Sequence, residues 1–210
     1  MLFTFEGIEG SGKTTQTQLL VRRLESAGYR AIGTYEPGGT SLGLALRRLL
    51  KTEPGIAISS LAELLLFAAA RAQLVEEVIR PHLAEDFIVV SDRYAESTLA
   101  YQGGGRGLPD QVIREAVALA TQGLKADLVI LIDLPPQTGL ARKREAKWDR
   151  FEGAGLDFHE RVRRRYLAMA GAEPQRWLVI DGLLPREEIH ETVWRRVQSL
   201  LRQRKREGPK

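Results

Sequence analysis

Between residues 7 and 15 the chain reads Gly-Ile-Glu-Gly-Ser-Gly-Lys-Thr-Thr. Glycines at 7, 10 and 12 let the backbone turn its N–H groups inward, beside one lysine and two threonine hydroxyls. A loop of this kind binds phosphate: Lys13 neutralises the β- and γ-phosphates of a nucleoside triphosphate, and the Thr14 hydroxyl takes Mg2+. A glycine-rich turn that merely caps a helix is the plainer alternative. The pattern G-x-x-x-x-G-K-[ST] demands a strand before it and a helix after it, and the sequence predicts both.

Three further segments carry residues suited to a small anionic second substrate. Glu36 and Pro37 open a Pro-Gly-Gly turn, with Arg47 on the helix that follows. Phe67 and Arg71 stand four apart, on one face of a predicted helix. A ring beside a guanidinium stacks on a nucleobase and hydrogen-bonds its edge, although spacing alone favours a core Phe with a surface Arg. Asp92 and Arg93 fall where a strand should end: the aspartate can hold Mg2+ or its waters, the arginine can reach a phosphate, and a structural Asp–Arg pair is the alternative.

These residues need elements to position them. Strands are expected at 2–6, 30–35, 87–92, 128–133 and 177–181, the last three being β-branched runs that each end in aspartate. Helical spacing predicts helices at 13–27, 41–51, 60–80 (ending at Pro81), 109–123, 136–147, 156–170 and 186–205. Strands alternating with helices imply an α/β fold whose parallel sheet is covered on both faces, with ligands at the carboxyl ends of the strands.

The 210 residues, with no linker-like stretch, read as one domain, 1–210. Neither a secretory signal pattern nor an apolar run of membrane-spanning length is present, so a cytoplasmic address and no membrane partner are expected. Cysteine is absent, which excludes disulfides and thiolate sites, and three scattered histidines argue against a zinc cluster. A net charge of +4 suits anionic partners. The basic end RQRKREGPK reads as a fraying helix rather than a nucleic-acid arm. With no asparagine anywhere, the chain lacks the N-K-x-D segment of a guanine-reading switch.

Taken together, GIEGSGKTT, EPGGT with Arg47, LLFAAARAQL, DRYAESTLAYQ, VILIDLPP and DRFEGAGLDFHERVRRRY resemble thymidylate kinase, in the family's own order across residues 3–170. The resemblance implies a P-loop fold of the nucleoside monophosphate kinase type with a five-stranded parallel sheet, phosphorylation of dTMP to dTDP by ATP with Mg2+, and a homodimer without a stable nucleic-acid partner. It implies that Gly7, Ile8, Glu9, Gly10, Ser11, Gly12, Lys13, Thr14 and Thr15 cradle ATP, with Arg142 and Gly182 nearby, and that Thr14 and Asp92 serve the metal. Phe67 would stack on thymine, with Arg71 at its edge and Gln102 against it. Arg47 and Arg93 would bind the monophosphate, beside Glu36 and Pro37. Tyr101 would crowd the sugar's 2′ position, Ser97 would line the pocket, and Glu9 would lie near sugar and acceptor phosphate. Lys13, Arg93, Asp92 and Glu9 would form the catalytic set, with Arg144 and Arg150 from a basic lid at 141–158. Tyr35 and Leu44 depart from the family, which commonly has Arg and Glu there.

Two competing readings remain open at this point. One is a sibling nucleoside or nucleoside-monophosphate kinase with another base preference; the other is a DNA-binding regulatory ATPase.

Overall fold

A computed structural model describes residues 1–51, 56–142 and 151–207. Strands β1 (Leu2–Glu6), β2 (Ala31–Tyr35), β3 (Ile88–Asp92), β4 (Leu128–Asp133) and β5 (Trp177–Asp181) form one sheet in the order β2-β3-β1-β4-β5. Every pairing is parallel. Central β1 aligns Phe5 with Asp92 on one side and with Ile130 on the other. The chain moves to one side of β1 for β2 and β3 and to the other for β4 and β5. That reversal opens a crevice at the carboxyl end of β1, where open α/β sheets take their ligands.

Helices α1 (Lys13–Ser26), α2 (Ser41–Lys51), α3 (Ser60–Leu74), α4 (Arg80–Ala84), α5 (Ala95–Thr98), α6 (Asp110–Thr121), α7 (Pro136–Ala141), α8 (Leu156–Ala172) and α9 (Arg186–Glu207) follow in chain order. The two-residue period of the strands assigns side chains to faces. Phe3, Phe5, Val90, Leu128, Ile130 and Ile132 pack with Leu20 and Leu24 of α1 and Val193 and Val197 of α9. Leu2, Val89, Val129 and Leu131 pack on the other face with Leu74 of α3 and Val162 and Tyr166 of α8. Burying each such large apolar side chain stabilises the fold by about 1.5–3 kcal/mol.

Two local features depart from expectation. Pro81 does not end its helix: residues 75–79 form a π turn in which the Arg80 N–H reaches the Val75 carbonyl, and helix resumes through Ala84. The wider turn accommodates a proline that would clash in an unbroken α-helix. A helical segment at 95–105, not expected from periodicity, runs as α5 and then a second π turn, Leu99–Gly105. Its end at Gly103-Gly104-Gly105 hides it from propensity, and small size is needed there because a Cβ on Gly105 would stand 2.4 Å from the Phe158 ring.

Glu6, fully buried at the end of β1, fastens α5 to the sheet. Its carboxyl accepts from the Tyr94 backbone N–H (2.8 Å), the Ser97 hydroxyl (2.6 Å) and the Tyr166 hydroxyl (2.8 Å). Burial, reinforced by nearby Glu96, raises its pKa from 4.5 to about 7. The unfolded chain therefore releases this proton first as pH rises, and the folded state loses stability between the two values, by roughly 3 kcal/mol at most. Urea unfolding of wild type and Glu6→Gln at pH 5 and pH 8 tests this: the non-ionisable variant should gain on wild type by that order on going to pH 8. Parallel pH dependences would rule out the raised pKa.

Candidate active site

The loop from Gly7 to Gly12 leaves β1 and delivers Lys13 to the first position of α1. Gly12 has φ of 94°, in the left-handed region that favours glycine, and Gly10 (φ 73°) passes so near α7 that a Cβ would stand 2.2 Å from the Gly139 carbonyl oxygen. Lys13 is buried, and its Nζ donates to the Ile8 carbonyl at 2.7 Å and to the Ser11 hydroxyl at 3.3 Å. Burial, then the charge on Arg93, pushes its pKa down to about 7.

Thr14 donates its hydroxyl to the carboxylate of Asp92, the last residue of β3. This pair fits Mg2+, which takes one or two protein oxygens and completes its shell with water and substrate phosphates. Among the described residues no group of three or more Asp, Glu or His side chains forms a metal cage. Arg142, just past α7, reaches both the Gly10 and the Gly182 carbonyls at 3.2 Å, bridging the phosphate loop to the segment after β5.

Arg93 follows β3 with φ of 74°, unusual for a non-glycine residue and a mark of a constrained site. Its guanidinium donates to Glu9 (2.9 Å), the Tyr101 hydroxyl (3.0 Å) and the Ser97 hydroxyl (3.1 Å). The Tyr101 hydroxyl also sits within 2.8 Å of both Glu9 carboxylate oxygens. Burial alone would raise the Glu9 pKa, but Arg93, His159 and Lys13 outweigh it and hold the carboxyl well below the usual range.

Arg71 is 1% exposed and so is not the surface arginine that spacing favours. Three of its nitrogen–oxygen contacts go to Glu36, at 2.6–3.1 Å, and the others to Thr98 and the Tyr94 carbonyl. Burial opposes its charge, yet Glu36 prevails and raises its pKa. The Gln102 amide donates to Glu63 at 2.9 Å, and Arg106 pairs with the same carboxylate. Arg47 donates to the Pro37 carbonyl at 3.1 Å, its guanidinium 5.6 Å from the centre of the Tyr35 ring.

The folded chain gathers the expected residues into two adjoining spaces. Glu9, Glu36, Pro37, Phe67, Arg71, Arg93, Ser97, Tyr101 and Gln102 line one pocket. Lys13, Thr14, Thr15, Arg47, Asp92 and Arg142 line a cleft of about 810 Å3 that shares Glu9, Glu36 and Arg93 with it. Gly182 meets this cleft through Arg142. Arg144 and Arg150, with the rest of residues 143–150 of the expected lid, lie outside the described residues. At the two departures from the family pattern, Tyr35 lies beneath Arg47, and Leu44 is largely exposed.

Sequence reasoning singled out neither the supporting carboxylates Glu6 and Glu63 nor Phe151, His159 and Tyr166. His159 is fully buried, with Nε2 donating to the Phe151 carbonyl at 3.0 Å and Nδ1 standing 3.4 Å from Glu9. A lone histidine within a charged helix carries no periodic signal of such a position, nor does a carboxylate at the end of an apolar strand.

The family model for thymidylate kinase matches residues 5–193. Thymidylate kinase of Deinococcus radiodurans is 48% identical over 195 residues, which covers 92% of this chain and 94% of that one. That of Thermomicrobium roseum is 48% identical over 205 residues, 97% of each chain. Among solved structures, thymidylate kinase from Ehrlichia chaffeensis superposes with a TM-score of 0.76 at 34% identity, covering 94% of this chain and 98% of its own. A phosphate loop facing a pocket of paired cations, on a sheet shared with these relatives, leaves one assignment: the chain belongs to the thymidylate kinase family.

Proposed function

We infer that the protein transfers the γ-phosphoryl group of ATP to dTMP, giving dTDP. The observation that carries this reading is the continuity of the two spaces through Glu9, Glu36 and Arg93: one has the phosphate loop at its floor, the other an aromatic ring beside a buried guanidinium. A donor in the cleft and an acceptor in the pocket then meet at Arg93.

The acceptor phosphate is already an ionised nucleophile, so no general base is required. Catalysis consists of alignment and of neutralising the charge that spreads over the transferred group. We assign this work to Lys13 from the donor side and Arg93 from the junction, with Arg47 beside the acceptor phosphate. Glu9 fixes the direction of the Arg93 guanidinium, while its bond to Tyr101 holds that ring where the sugar would lie. Arg71, oriented by Glu36, presents what remains of its edge to the base, and Phe67 offers a stacking face. Mg2+ belongs to this proposal: Thr14 and Asp92 would hold it, and it would supply charge neutralisation at the phosphates. Arg142 lies at the adenine end, beside Gly182.

A homodimer and a cytoplasmic location complete the proposal. Leu61 and Leu65 of α3 are 50% and 55% exposed, and Leu119 of α6, the helix packed beside it, is 80% exposed; such apolar surface on adjacent helices supports self-association. No helix of the described residues is long and apolar enough to cross a membrane.

ADP formation from Mg·ATP, measured with dTMP, dUMP, dCMP, UMP, AMP or no acceptor, tests the reading directly. Turnover should be dominated by dTMP, with dUMP weaker. Faster turnover with another acceptor would assign a sibling kinase activity, and hydrolysis without acceptor would point to an ATPase. Arg93→Ala should lower kcat by about a hundredfold or more, by analogy with other electrostatic donors to a transition state. Near-wild-type turnover in that variant would remove Arg93 from the mechanism.

A further inference from the structure

The pocket assigned to the acceptor base opens to solvent and is narrow, with room for water-sized spheres of only about 30 Å3. This is room for about one water, whereas admitting a six-membered ring takes a cavity of roughly 150 Å3. Phe151 is part of the lining that narrows the pocket. Its ring is 3% exposed and lies edge-on to Phe67 at 5.8 Å and to Tyr101 at 6.0 Å between centroids. The Arg106 guanidinium stands 5.6 Å from its centre.

We propose that Phe151 occupies the place of the acceptor's pyrimidine ring in the ligand-free protein, and that dTMP binds by displacing it. The proposal rests on the assignment of dTMP as acceptor. Phe151 has the size, flatness and apolar faces of the ring it stands in for, and it meets Phe67 and Tyr101 with the edge contacts that aromatic rings favour. It also differs in origin from the rest of the lining. Phe67 and Arg71 lie on α3 and Tyr101 on the helical segment that Glu6 ties to the sheet, whereas Phe151 belongs to the short segment leading into α8. Its carbonyl there accepts from the Ala154 N–H at 3.0 Å and from His159, whose other ring nitrogen faces Glu9 of the phosphate loop. Displacing Phe151 therefore changes the surroundings of His159 and Glu9, and acceptor binding is felt at the phosphate loop without any contact between base and loop.

A protein whose binding-competent state must first expel an aromatic ring has its apparent affinity lowered by that competition. Phe151→Ala should consequently bind dTMP about tenfold more tightly by calorimetry, the scale expected when expulsion of one buried ring is removed. Because truncation also disturbs packing, a second measurement reads the ring itself. With 4-fluorophenylalanine at position 151, the 19F resonance should shift on saturation with dTMP and hold still with ATP alone. Weaker dTMP binding by Phe151→Ala, or an unmoved resonance in protein saturated with dTMP, would make Phe151 a fixed wall and overturn the proposal. A wild-type chain that binds no dTMP would overturn the acceptor assignment first, and this role for Phe151 with it.

Discussion

A guanidinium withdrawn from water requires a counter-charge, because an isolated buried ion costs far more than folding can supply. In and beside the pocket that requirement is met three times over. Arg71 is held by Glu36, Arg93 by Glu9 and Arg106 by Glu63, with the carboxylate in each pair at most 10% exposed. Such pairs add little net stability, since desolvation consumes most of the attraction. Their effect is geometric: each carboxylate fixes the plane of a guanidinium, and two of these, Arg71 and Arg93, line the pocket.

The carboxylates are themselves placed by the sheet. Glu6 ends β1, Glu9 lies in the loop that follows, and Glu36 is the first residue beyond β2. All three therefore sit at the carboxyl edge of the sheet, on two strands that flank β3. Glu63 instead comes from the first turn of α3, whose N-terminal Ser59 hydroxyl accepts the Ala62 N–H. Sheet and helix thus bring buried anions together from both sides, and the arginines follow them.

Strands and long helices were legible because burial imposes a period on sequence. LVILID and FIVVSD read as buried strands, and residues 128–133 and 88–92 form them. The phosphate loop was legible for another reason: its glycines are demanded by backbone geometry, which leaves a compact pattern. Arg71 was half legible. Its neighbour on the helix, Phe67, was visible at helical spacing, but its burial depends on Glu36, 35 residues away. His159 and Phe151 were invisible as a pair, since their significance lies in a contact across the pocket. The segment 95–105 escaped because a π turn shares its composition with a loop.

That last segment deserves to be considered as a matter of phase. In an α-helix each residue advances by about 100°, and a π turn admits an additional residue. Tyr101 and Gln102 fall within the turn that spans Leu99–Gly105. Their azimuth, and hence which of them confronts Glu9 and which Glu63, is set by that extra residue rather than by side-chain identity alone. Deleting Leu99 or Ala100 would leave Tyr101 and Gln102 in the chain and yet turn them away from their partners. For this fold, the lining of the pocket depends on residue count as well as on residue type.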